Sequence, residues 1–154
     1  MSNAILQELR EIRRLLEIIA MSPKYWEYIP TKTDTPFVIP AGSKKTILDV
    51  KETGKVLGIL AITDNPDVYV EVSFDGKRIG RSLRELYEIG LTKCTPGFFW
   101  ILKWDEANNV YIAIYTPPGE PASYFGHFEF TVYAPKDSPA TVSYVIHRYR
   151  LKSL

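Results

Sequence analysis

The sequence predicts a mainly β protein: an antiparallel β-sandwich of about eight strands, jelly-roll-like, behind an N-terminal amphipathic α-helix and an extended linker. Three observations carry this expectation. Runs with period-2 alternation recur from Lys44 to Leu151, each bounded by turn residues. No strand-helix-strand alternation interrupts them, so a parallel sheet is disfavoured. Ten Tyr, seven Phe and three Trp, with eleven Pro and nine Gly, suit strands joined by punctuated turns.

The first element, from Ser2 to Ala20, is a helix that stops before Ser22-Pro23. Ile5, Leu9, Ile12, Leu16 and Ile19 are spaced four, three, four and three residues apart, a d-a-d-a-d seam in heptad terms. A helix this short is marginal alone in water, and each exposed aliphatic residue forgoes about 1.5 to 3 kcal/mol of burial. Residues 1–22 are therefore expected to dock, either across their own domain or on sister helices or another protein. Residues 23–43 form the linker. Pro30, Pro36 and Pro40 exclude a central strand there and favour extended or edge geometry, and Trp26, with Tyr25 and Tyr28, is expected to lie against a surface.

Residues 44–154 form the sandwich domain. Lys45 to Val50 and Lys55 to Thr63 are its first strands. Val68 to Phe74 alternates between Val68, Val70, Val72 and Phe74 on one face and Tyr69, Glu71 and Ser73 on the other. Asp75-Gly76 predicts a tight hairpin into Lys77 to Arg81, and Ser82-Leu83-Arg84-Glu85 is a capping box that opens a short helix ending near Gly90. Phe98 to Trp104 and Val110 to Thr116 read as a hairpin about Glu106-Ala107-Asn108-Asn109. Phe98, Trp100, Leu102 and Trp104 are expected to fill the core. Phe125 to Ala134, with Phe128, Phe130 and Val132 inward, and Thr141 to Leu151 complete the set.

Function classes narrow by exclusion. Nineteen Lys and Arg against eighteen Asp and Glu leave a formal charge of +1, which disfavours nucleic acid and anionic membranes as partners. The single cysteine, Cys94, excludes an internal disulfide and is expected to be semi-buried. Charges interrupt every apolar run of the N-terminus, so neither a signal peptide nor a membrane span is read there, and folding in a cytoplasm is expected. One Gln, four Asn and two Met in 154 residues are few thermolabile side chains, a pattern of heat-adapted proteins.

No catalytic constellation emerges, and no cofactor or metal is expected. His127 and His147 lack metal-ligand spacing and read as strand residues, His127 beside Glu129 on an outer face. Asp64 with Asp67, and Asp105 with Glu106, lie in turns where carboxylates serve the backbone. The remaining signal is aromatic. Tyr111, Ala113 and Tyr115 share one side of their strand, either as an outward row or under a second layer of the domain. If outward, Tyr111 and Tyr115, with Trp26, form a surface suited to stacking on a glycan or to protein contact.

The run VLGILAITDNPDVYVEVSFDGKRIGRSLRELYEIG from Val56 to Gly90, followed by aromatic hairpins and a Pro-rich loop, resembles small β-sandwich structural proteins of tailed phages and archaeal viruses. The resemblance implies a non-enzymatic virion role of decoration, spike or tail accessory type. The protein would be made in the host cytoplasm, would assemble with itself as a trimer or higher oligomer, and would attach to other virion proteins through its N-terminal arm. The alternative is a carbohydrate- or ligand-binding module using Tyr and Trp.

Overall fold

The computed structural model describes residues 3–21, 25–33, 35–118 and 122–152, with the side chains of the first helix described as far as Arg14. The chain runs α1 (Asn3–Met21), β1 (Trp26–Tyr28), β2 (Thr31–Lys32), β3 (Phe37–Ile39), β4 (Lys44–Val50), β5 (Gly54–Thr63), β6 (Tyr69–Phe74) and β7 (Lys77–Ser82). It continues through α2 (Leu83–Glu88), β8 (Phe98–Asp105), β9 (Val110–Thr116), β10 (Ala122–Tyr124), β11 (Phe128–Tyr133) and β12 (Ala140–Leu151). All eight expected strands are present, as β4 to β9, β11 and β12. Four short ones, β1 to β3 and β10, add to them.

Two antiparallel sheets pack face to face. The larger has the order β1-β12-β5-β9-β8, with β2 and β3 also on β12 and β10 on β5; the smaller has the order β4-β11-β6-β7. Their inner faces meet in one core. Val56, Ile59, Phe99, Ile101, Ala113 and Ile146 come from the first sheet, and Val70, Val72, Phe128, Phe130 and Val132 from the second. Phe74 and Tyr115 bridge the sheets with ring centroids 5.7 Å apart, within the range of favourable aromatic pairs.

Local chemistry accounts for the elements. Asp75 (φ 52°) and Gly76 (φ 86°) both take the left-handed conformation that a two-residue type I′ hairpin demands, joining β6 to β7. Ser82 caps α2 by accepting a hydrogen bond from the Glu85 amide at 3.1 Å, and α2 inserts Leu83 and Leu86 into the end of the core. At Gly54, where β5 pairs with both β10 and β12, a Cβ atom would collide with the Tyr124 hydroxyl and lie 2.7 Å from the Tyr149 carbonyl oxygen. Only glycine permits that approach.

Asp75 also organises the entry to β11. Its carboxylate accepts hydrogen bonds from the amides of Phe125, Gly126 and His127 at 2.8, 2.8 and 2.9 Å. Those three bonds, that to Phe125 foremost, hold its pKa below the usual carboxylate value. The lowered folded-state pKa means its contribution is complete above the unfolded value of about 3.9 and is lost as pH falls through the folded value. Amide hydrogen exchange at Gly126 and His127 is expected to stay slow at pH 5 in the native protein. It should quicken there in Asp75→Ala, and equal protection in both proteins would refute the assignment.

Two expectations, the inner face of β8 and the burial of Cys94, are corrected here, whereas the linker takes the edge geometry that its prolines favour: β1, β2 and β3 hydrogen-bond successively along β12. Pro30, Pro36 and Pro40 lie between or beside these strands, where no ladder hydrogen bond is needed. In β8 the buried residues are Phe99 and Ile101, whereas Leu102 is 52% exposed and Phe98 and Trp100 are half-buried. A bulge between Ile101 and Lys103 makes Leu102 the extra residue and returns Trp104 to the inner side, opposite Tyr111. Cys94 is exposed.

Candidate self-association surface

The residues singled out from the sequence fall in different places. Tyr111 and Tyr115 are 3% and 2% exposed and form part of the core. Register explains this: Tyr115 packs on Phe99 and Phe74, and Tyr111 on Trp104, all beneath the second sheet or the α2 end. They offer no stacking surface. Trp26 is half-buried on β1, with the Lys55 ammonium 4.1 Å from its ring centroid. Burial lowers the Lys55 pKa, so the contact is a partly desolvated cation-π pair.

Ile5, Leu9 and Ile12 are 51, 52 and 53% exposed along one side of α1, and the sandwich of their own chain does not bury them. Leu16 and Ile19 continue the seam on the same helix, but their side chains lie outside the described residues. Charged residues occupy the other side, where Arg14 donates to Glu11 at 2.8 Å in an exposed pair that contributes little to stability. No helix among the described residues is long and apolar enough to cross a membrane.

The two outer sheet faces differ in chemistry. That of the smaller sheet is charged: Arg78 pairs with Glu71 at 3.0 Å, Tyr133 donates to Glu71 at 3.3 Å, and His127 lies beside Asp49 and Glu129. On the larger sheet, Val145, Leu60, Ile114 and Trp100 are half-buried in one cross-strand row, and Ile62 and Ile112 continue it in the next. On β1, exposed Tyr28 packs on Tyr149 and places its hydroxyl 2.6 Å from His147 Nδ1. Exposed Leu151 lies directly across from Trp26. An open groove of about 230 Å³ lies between Pro36, Ile62, Val110, Thr141 and Ser143. It is smaller than the ~300 to 1,000 Å³ of small-molecule sites.

One cluster was not legible in the sequence. Asp49 on β4 is the direct cross-strand partner of Glu129 on β11, and His127 Nε2 lies 2.5 Å from Asp49 and 3.9 Å from Glu129. These three groups have the donor types of a one-histidine, two-carboxylate metal site. Two carboxylates directly opposed across a strand pair repel, and His127 as a donor between them relieves that. Asp49 and His127 are far apart in sequence, and only the β4–β11 register joins them. Of the expected turn carboxylates, Asp64 and Asp105 serve the backbone, accepting from the Thr141 amide at 2.8 Å and the Asn108 amide at 3.1 Å, whereas Asp67 pairs with Arg84 and Glu106 accepts from Trp104 Nε1 at 3.1 Å.

Neither protein-family models nor curated protein sequences give a match to this chain.

Proposed function

We propose that the protein is a non-enzymatic structural component of a virion, self-assembling through α1 and attaching by that arm to a capsid or tail. The observation that carries the reading is the aliphatic seam of Ile5, Leu9 and Ile12, about half exposed on α1 and not buried by their own sandwich. Association of these helices would recover about 1.5 to 3 kcal/mol per fully buried aliphatic residue. The apolar row on the larger sheet adds a second contact surface for other virion proteins. Buried Tyr111 and Tyr115 remove two of the three residues on which glycan recognition rested, so the virion reading is preferred.

Light scattering is expected to give an oligomer for the full chain and a folded monomer after removal of residues 1–22. A monomer in both cases would dismiss self-assembly through α1. The virion assignment is tested by the encoding genome, where capsid or tail genes are expected to adjoin this one; neighbours of purely metabolic function would count against it.

A further inference from the structure

The heptad register of α1 specifies more than contact between copies. With Ile5, Ile12 and Ile19 at d positions and Leu9 and Leu16 at a, Glu8 falls at g and Arg13 at the following e. β-Branched Ile at d with Leu at a disfavours two-stranded coils and shifts assembly toward three or four strands, because side-chain direction at the two layers matches the wider bundle. Orientation follows from charge. In a parallel, in-register bundle, a g residue faces the e residue of the next heptad on its neighbour, so Glu8 meets Arg13 at every interface. An antiparallel arrangement brings g against g and e against e, opposing Glu8 to Glu8 and Arg13 to Arg13.

We propose that the α1 helices of three or four copies form a parallel, in-register bundle with all the sandwiches gathered at its C-terminal end. This rests on reading α1 as the self-association surface. Only residues 22–25 separate α1 from β1, and four residues span at most about 14 Å, so each sandwich is held close to the bundle. Tyr28 and Leu151, exposed on β1 and at the end of β12, are then close enough to the bundle to meet neighbouring copies.

Sedimentation equilibrium of the full chain should give three or four times 17.6 kDa. A monomer would overturn both this inference and the self-assembly reading; a dimer would overturn this inference alone. Two sets of variants test the internal logic. Exchanging the layers by Ile5→Leu, Leu9→Ile, Ile12→Leu, Leu16→Ile and Ile19→Leu conserves composition and should shift the assembly to two strands. An unchanged mass would show that these positions are not the bundle core. Glu8→Arg and Arg13→Glu singly should each weaken association by about tenfold or more, through like charges at every interface, with recovery in the double variant. Lack of recovery would overturn the g–e pairing. In a Cys94→Ser background, Leu9→Cys should cross-link between copies on mild oxidation, because a parallel register stacks position 9 in one layer. Failure to cross-link while the oligomer persists would overturn the parallel orientation and leave self-assembly standing.

Discussion

Glu52→Ala is expected to destabilise the sandwich by about 3 to 5 kcal/mol, the cost of leaving a buried charge without its partner. Arg148 lies on the inner side of β12, its side chain 7% exposed, and donates through a guanidinium N–H to Glu52 at 2.6 Å. The Tyr124 hydroxyl donates to the same carboxylate oxygen at 3.3 Å. Burial pushes the Tyr124 phenol above its usual pKa, and the nearby Arg148 offsets part of that rise. Arg148 Nε is already buried without a hydrogen-bond partner among the described residues, so the guanidinium has no reserve when Glu52 is removed. Chemical denaturation of the single variant and of Glu52→Gln/Arg148→Met separates the causes. The double variant should lie within about 1 to 2 kcal/mol of the native protein, since it removes both charges of the pair and Gln keeps an acceptor for the Tyr124 hydroxyl. A single variant as stable as the native chain would show that solvent reaches Arg148.

Phe128→Ala should cost about 3 to 5 kcal/mol through a core cavity. Phe128 is fully buried where the sheets meet, with ring centroids 5.2 Å from both Phe74 and Tyr124. Phe74 belongs to the smaller sheet and Tyr124 to the larger, so truncation opens space on both sides and neither sheet can close it without moving the other. Phe125, three residues earlier and 77% exposed, is the internal control. Phe125→Ala should change stability by no more than about 0.5 kcal/mol. Equal effects from the two would mean that the inter-sheet core does not set stability.

The contrast between these two phenylalanines shows how far local sequence reaches. Alternation places Phe128, Phe130 and Val132 in the core, and all three are fully buried. The Asp75-Gly76 hairpin and the Ser82 cap were likewise written in local chemistry, because left-handed φ values and an N-terminal acceptor are demands that few residue types meet. Alternation failed in β8 because Phe98 and Trp100 are as apolar as Phe99 and Ile101, so either face could be inner, and because the bulge at Leu102, which returns Trp104 to the inner side, carries no sequence mark. It was also silent on which face of β9 is inner, since Tyr111-Ala113-Tyr115 and Val110-Ile112-Ile114 are both apolar enough to be buried.

Sequence by itself therefore determined the fold class, the eight principal strands, the α2 cap and the N-terminal helix α1 with its heptad spacing. All of these depend on contacts or conformations within a few residues. Tertiary structure decided which Tyr row is buried, that the Pro-rich segment is the edge of β12, that Arg148 pairs with Glu52, and that Asp49 meets His127 and Glu129. Each of those depends on the register between strands distant in the chain, and register is set by the packing of two whole sheets rather than by any local run of residues.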